Sequence, residues 1–363
     1  MGPTASATAT SGVSAKTVCS SSGEPSAACS NNPGFAAPLD AITSRAAPDD
    51  DTVTFDNGSS LTSAAATASA ADVSIVFGYY TEGEGTDRTK INLDNRGDAL
   101  ISAVAAANPK TIVVLETGSA VLMPWLSQVK SVLEAWYPGV QQGPALAALL
   151  FGDADPSGHL PVTFPQSTAD LPTAGSAAQN PGVFANGSTV RPAGDRTSIR
   201  QVDYTEGLES GHSWYDAQGI APLFPFGYGL SYTTFTADHL QLTPTTVQDT
   251  KPIRVRFKLT NTGQRAGTQV EQVYLTLPAS SGEPPKRLVG WARVTLDPGR
   301  SQNVEVVIDP TSADHPLSYY DSGSQSWVTP SGTYAVSLGS SVDNIDQTDT
   351  ITVHPSGSAN NGK

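Results

Sequence analysis

The chain has 363 residues, with 20 Lys and Arg against 34 Asp and Glu, a formal net charge of −14. That balance argues against nucleic acid or an anionic membrane as a main partner, because both need a basic face. Charged residues make up only 15% of the chain, well below the roughly 25% of an average soluble domain, while 33 glycines and 27 prolines predict many turns and long ordered loops. At 38% hydrophobic residues the chain can build cores, its length points to about two domains, and no apolar run approaches the roughly 18 residues of a membrane span.

Residues 1–30 are mostly Ala, Ser, Thr and Gly. They have neither the basic nor the apolar region of a signal peptide, and too little apolar surface to offset chain entropy, so disorder is expected through residue 35. Cys19 and Cys29 are the only cysteines. A local disulfide closing this Ser-rich stretch is the first expectation and two idle thiols the alternative. A metal site lacks further ligands nearby, and no metal or other cofactor is expected. An oxidised pair implies an exported protein, extracellular or cell-wall associated, and the absent leader is then expected to reflect a missing upstream segment or a start codon placed inside a longer reading frame.

From residue 50 to 151 strand and helix patterns alternate. Residues 52–55 form a short candidate strand, and 61–71 are Ala-rich and helix-prone. The β-branched run 73–77 ends at Gly78. Residues 98–107 are helical by composition and stop at Asn108-Pro109. The run 111–115 (TIVVL) is a second buried strand, 129–135 a third, and 145–151 a helix ending at Gly152. Continuous apolar strands spaced by helices indicate a mostly parallel sheet covered on both faces.

From 152 to 235 Pro, Gly, Ser and Asn dominate and periodicity fades. So long an irregular stretch is usually functional or wrapped over a neighbour. From 237 to 353 the pattern is all-β. IRVRFKL at 253–259 alternates apolar and charged residues as a half-buried strand does, and strands at 270–277, 289–296, 304–308 and 333–338 follow, with turns at Asn261-Thr262-Gly263 and Asp297-Pro298-Gly299. Short strands between turn signals make a β-sandwich.

The densest chemical cluster is TEGEGTDR at 81–88, just past the carboxyl end of the strand 73–77. In open α/β sheets ligand crevices form there. Glycines on both sides of Glu84 let the backbone present a carboxylate on a loop tip, and Asp87 and Arg88 are placed to pair at the loop's base. The bland alternative is a solvated acidic turn. His159, alone in a turn, reads as a structural donor. No HExxH, paired CxxC, Walker-type loop or GxSxG elbow occurs. The aromatic, Gly-rich segments GLESGHSWYD (207–216) and PLFPFGYGLSY (222–232) suit either sugar stacking or, more simply, the anchoring of a long loop. Asn57-Gly58-Ser59 and Asn186-Gly187-Ser188 are glycosylation sequons that matter only in a glycosylating compartment.

The order of these segments resembles the C-terminal half of glycoside hydrolase family 3, the β-glucosidase and β-xylosidase family. The resemblance rests on APLDAI (37–42), GEGTDR (83–88), AAANP (105–109), ETGSAVLMPW (116–125), AWYPG (135–139), LFGD (150–153) with SGHLPVTFP (157–165), WYD (214–216) and FPFGYGLSY (224–232). The tail, with TNTG at 260–263 and PSGTY at 330–334, is similar to the family's fibronectin type III-like domain. The fold class implied is α/β plus all-β: a partial α/β sandwich at 36–165, truncated at its start, a Gly/Pro/aromatic connecting loop at 166–235, a fibronectin type III-like β-sandwich at 236–355 and a disordered tail at 356–363.

The resemblance also implies a retaining hydrolysis of O-glycosyl bonds by two carboxylates. The family's acid/base Glu, from an EGxDR-like loop, maps to Glu84, with Glu82 in reserve and Asp87 and Arg88 as supports of the loop. The family's nucleophilic Asp lies on a separate (β/α)8 barrel, which needs about 200 residues or more and does not fit ahead of the first match. The expected partners are therefore a β-linked oligosaccharide or glucoside and a (β/α)8 barrel on another chain or segment. The expected alternative is a non-catalytic carbohydrate-binding or wall-associated module. Three departures stand on the substrate side: Glu116 where the family has an amide or His, Val140-Gln141-Gln142-Gly143 for Gln-Glu-Gly-Gly, and Ser210-Gly211-His212-Ser213 for Val-Gly-Tyr-Arg.

Overall fold

The computed structural model describes residues 37–83, 88, 90–248 and 250–355. Cys19 and Cys29, the stretch 1–35 and the tail 356–363 lie outside the described residues. The chain divides into two units: the first holds the described residues up to Ala154 with Pro165–Thr168, the second Asp155–Phe164 with those from Ala169 onward.

In the first unit, helix α1 (Pro38–Ala46) starts with proline, whose missing N–H costs nothing in a first turn. Asp40 in its first turn and Arg45 in its last complement the helix dipole. Arg45 bonds Asp49 and Asp153, both at 2.7 Å. Helix α2 (Leu61–Ser69) is capped by Ser60, whose hydroxyl accepts from the Ser63 amide. Residues 52–55, expected as a strand, join no ladder among the described residues; without a partner an extended tetrapeptide is not a strand, and it is held only by Val53 packing on the core.

Strand β1 (Ser74–Tyr79) runs parallel to β2 (Thr111–Glu116), and β2 parallel to β3 (Ser131–Glu134), in the order β1-β2-β3. Helix α3 (Gly97–Ala107) connects β1 to β2, and helix α4 (Gln142–Leu150) follows β3. The pairing Phe77↔Val114 and Val114↔Leu133 puts these side chains on one face. There they form a core with Ile42 of α1 and Leu146 and Ala147 of α4. On the opposite face Gly78 is met by Leu93, Leu115 and Ile101 of α3; a Cβ at Gly78 would lie 2.8 Å from Leu93 Cδ1. Asn108, just past α3, donates to the carbonyls of Ala68 and Ala71 at 2.9 and 2.7 Å and so ties α2 to α3.

In the second unit an irregular segment carries one short helix, α5 (His212–Gln218). The sandwich follows: β4 (Phe235–Thr243), β5 (Thr246–Gln248), β6 (Ile253–Asn261), β7 (Gly267–Thr276), β8 (Arg287–Leu296), β9 (Ser301–Ile308), β10 (Tyr319–Asp321), β11 (Ser326–Val328), β12 (Gly332–Gly339) and β13 (Ile345–His354). One sheet has the order β5-β13-β12-β7-β8, the other β4-β6-β9, and β10 pairs with β11 as a hairpin. Ile253, Val255, Phe257 and Leu259 of β6 point into the core with Val273, Leu275, Val336, Leu338 and Ile351. Arg254 and Arg256 leave the other face and share Glu305 of β9.

Buried Asn261 closes β6. Its amide donates to the carbonyls of Arg265 and Leu296 at 2.7 and 2.9 Å, and its oxygen accepts from Thr233 Oγ1 and the Gly263 amide at 2.8 and 3.0 Å. All four hydrogen-bonding positions of the side chain are used. Asn261→Ala strands these groups and is expected to cost about 3 kcal/mol, read as a lower midpoint in urea unfolding at unchanged m-value.

Glu271 of β7 is 2% exposed. Burial, with Asp346 adding a nearby negative charge, pushes its carboxyl from 4.5 up to about 8. The folded value is raised, so the contribution of this group is intact below pH 4.5 and is lost as pH rises to about 8, because the unfolded chain ionises first. Glu271→Gln is therefore expected to raise Tm over the parent by several degrees at pH 8 and by little at pH 4, measured by thermal melting across that range.

Candidate functional site

The loops that leave the carboxyl ends of β1, β2 and β3 converge in the first unit. Just past β1, Tyr80 is 2% exposed and donates its hydroxyl to Ser119 Oγ at 2.8 Å, in the loop after β2. Past β3, Tyr137 donates to the Tyr80 carbonyl at 3.0 Å. Three successive strands thus share one hydrogen-bonded patch.

Arg88 organises the loop that follows Tyr80. Its guanidinium donates to the carbonyls of Thr81 at 2.6 Å and Asn92 at 3.0 Å, pairs with Asp94 at 3.1 Å and lies 3.9 Å from the centre of the Tyr80 ring. Asp94 also accepts from the Thr81 amide at 2.7 Å. Burial works against the ionised Asp94, but the bonds from Arg88 and Thr81 outweigh it and hold the carboxyl below its usual value. One planar, five-donor group fastens both ends of the segment 81–94.

Glu82 is exposed, and its carboxylate fills the space that a Cβ on Gly118 would need. Burial raises the hydroxyls of Tyr80 and Tyr137 above the usual phenol range, and the charge of Glu82 adds to the rise in both. Glu84 and Asp87 lie outside the described residues, so no Asp87–Arg88 pair is described; the acid that Arg88 meets is Asp94. Residues 84–87 span from Gly83 to the clamped Arg88.

Two further carboxylates stand behind this patch. Glu134, at the end of β3, accepts from the Trp136 amide at 2.9 Å and from Thr117 Oγ1 at 3.3 Å. Burial pushes it up to about 8, and the charge of Glu116 adds to the rise. Glu116 is fully buried at the end of β2 and accepts from Gln142 Nε2 at 2.9 Å. A cavity of about 330 Å³ opens beside the clamp, between the starts of α2 and α3, with Asn57, Tyr79, Asp94, Asn95 and Arg96 in its wall.

Sequence reasoning located the loop but missed Tyr80, Asp94, Ser119, Glu134 and Tyr137. Their common signal is position: Tyr80, Ser119 and Tyr137 stand one to three residues beyond a β-strand of the parallel sheet.

His159 belongs to the second unit. Burial holds it below its usual value, Nδ1 meets the Ser157 carbonyl at 3.3 Å, and its ring abuts Gly229. Trp214 donates to the Asp170 carbonyl at 2.9 Å, His212 stacks on Phe226 at 5.1 Å, and Phe224 packs between Phe164 and Tyr228. These rings hold the irregular segment together. Among the described residues no three His, Cys, Asp or Glu side chains are grouped to hold a metal ion, and no helix is long and apolar enough to cross a membrane.

Comparison with known proteins places this geometry. Residues 1–232 match the glycosyl hydrolase family 3 C-terminal domain, and residues 269–342 match the fibronectin type III-like domain. Beta-glucosidase B of Emericella nidulans is 39% identical over 78% of this chain and 33% of its own length. The thermostable beta-glucosidase B of Acetivibrio thermocellus is 37% identical over 79% of this chain and 36% of its own. Among solved structures, DesR, a beta-glucosidase from Streptomyces venezuelae in complex with D-glucose, superposes with a TM-score of 0.73 at 38% identity, over 81% of this chain and 35% of that one. The chain spans about a third of the length of these relatives. With its C-terminal-type α/β domain, its fibronectin type III-like domain and this degree of identity, the chain belongs to glycosyl hydrolase family 3.

Proposed function

We propose that this chain carries the acid/base half of a retaining β-glucosidase-type site. Glu84 is the acid/base, and the nucleophilic carboxylate comes from a (β/α)8 barrel on a further segment or a partner chain. The observation that carries this reading is the Arg88 clamp. It fixes the flanks of the EGxDR-like loop, Thr81 on one side and Asn92 and Asp94 on the other, just past the carboxyl end of β1, the edge of an open α/β sheet at which ligand crevices form.

In the first step the Glu84 carboxyl gives its proton to the glycosidic oxygen while the barrel carboxylate attacks the anomeric carbon. The leaving alcohol departs and a glycosyl-enzyme forms. In the second step the Glu84 carboxylate takes a proton from water as that water attacks the same carbon, which releases the sugar and restores both carboxyl groups. Arg88 is a positioning residue, acting through the loop. The substrate is a β-linked glucoside or short oligosaccharide, met outside the cell or at its wall.

The alternative, a carbohydrate-binding module without turnover, draws on Glu116, where an amide or His is usual in the family that the chain resembles.

The 363-residue chain alone is expected to show negligible turnover of aryl β-glucosides. Joined to a family barrel, it is expected to turn over, and Glu84→Gln then lowers kcat by about 10²–10⁴-fold while Glu82→Gln costs much less. Robust turnover by the chain alone, or an unchanged kcat in Glu84→Gln, would sink the assignment. In the same barrel-joined enzyme Arg88→Lys keeps the charge but loses the fork. It is expected to lower kcat by about tenfold or more with a smaller change in KM, since loop placement rather than ground-state binding is lost.

A further inference from the structure

The hairpin of β10 and β11 carries three interlocked rings that no core requires. Tyr320 and Trp327 are direct cross-strand partners, so both side chains leave the same face of the hairpin. Their rings meet edge to face at 5.6 Å and 75°. His315 stacks on Trp327 at 4.4 Å and 24°. Even so, Tyr320 stays 53% and Trp327 49% exposed. Neither ring belongs to the sandwich core, whereas Leu317 at the root of the hairpin does. The root is pinned: Arg287 donates to the carbonyls of Ser318 and Pro316 at 2.7 and 3.3 Å, and the hydroxyls of Ser318 and Thr329 meet at 2.8 Å. A single exposed aromatic residue, such as Trp291, needs no explanation. A set of rings held rigid by one another and by a pinned root, and still half open, does.

We propose that this aromatic hairpin, formed entirely within the second unit, is a carbohydrate-binding platform for the pyranose faces of a β-linked glucan chain. A pyranose offers a flat patch of C–H groups with hydroxyls around its edge. The hairpin offers a locked aromatic face beside a polar turn. Asp321, on the opposite face from the rings, accepts the amides of Gly323 and Ser324 at 3.3 and 2.9 Å, and the hydroxyls of Ser324 and Ser326 lie 2.9 Å apart, so the turn that joins the two strands is ordered as well. Rings already locked lose little freedom on binding, which is where weak stacking contacts usually forfeit affinity. The net charge of −14 disfavours anionic ligands and leaves a neutral sugar as the fitting one. The choice of glucan among neutral saccharides rests on the proposed glucosidase function; the platform itself does not.

The test is affinity electrophoresis of the full chain through native gels containing soluble mixed-linkage β-glucan, with an α-linked dextran gel alongside. Tryptophan fluorescence is followed in parallel during titration with cellopentaose. The expected result is retardation in β-glucan, little in dextran, and a saturable fluorescence change. Trp327→Ala and Tyr320→Ala each weaken retardation about tenfold, while Trp291→Ala leaves it in place. If Trp327→Ala lowers Tm, Tyr320→Ala, which removes only the edge-to-face contact, carries the test. The hydrolase assignment is read from kcat of the barrel-joined enzyme and the platform from retardation of the chain and its hairpin variants, so failure of the one and failure of the other give different results. Equal retardation in β-glucan and dextran places the fault in the choice of glucan and overturns that part. No retardation of the parent, unchanged retardation of both hairpin variants, or a concentration-dependent dimer abolished by Tyr320→Ala overturns the platform.

Discussion

The guanidinium of Arg88 lies over the Tyr80 ring while bonding two carbonyls and one carboxylate, and the working end of the α/β unit hangs on those contacts. A loop must surrender backbone freedom before it presents a side chain in one place. A hydrophobic anchor would restrain only the side that it touches. A planar fork restrains Thr81, Asn92 and Asp94 together, and because Tyr80 is itself bonded to Ser119 and Tyr137, the restraint passes to the loops after β2 and β3. The site is therefore one hydrogen-bonded network with a cation at its hub.

That cation is outnumbered. Glu82 faces two tyrosines from the solvent side, and Glu134 and Glu116 stand behind them at the ends of β3 and β2. Arg88 is engaged by Asp94 and by carbonyls, so little of its charge is left to offset these acids. Burial raises the Glu134 carboxyl to about 8, and the charge of Glu116 adds to the rise.

Much of the architecture was legible in the sequence because burial on both faces writes itself as unbroken β-branched runs. SIVFGY and TIVVLE became neighbouring parallel strands, and IRVRFKL became an alternating strand of the sandwich. The failures have a common cause. TVTF at 52–55 has strand composition but no ladder, and pairing is a long-range property that composition does not carry. Strand β13 begins IDQTDT, too polar to read as a strand, and is held by its ladder to β12. At the site, the EGxDR-like loop was visible from glycine spacing and resemblance. Asp94, which Arg88 pairs with, was not, because nothing local distinguishes it from Asp87.

A motif in this chain can mark a structural stitch, as Asp155 shows. Its carboxylate accepts from Ser231 Oγ and the Tyr232 amide, both at 2.8 Å, and from the Thr268 amide at 3.1 Å. The motif around 155–158 and the motif around 229–232 are thus two halves of one structural stitch, with Gly229 fitted against the Gly158 carbonyl and the His159 ring. A stitch of this kind demands particular residues as strictly as catalysis does, since a Cβ at position 229 or a lost carboxylate at 155 leaves backbone groups unpaired. A loop that must meet a substrate is bound by fewer internal contacts, because its reactive group has to stay free. Substitutions in the stitched segment should therefore be read first as changes in stability.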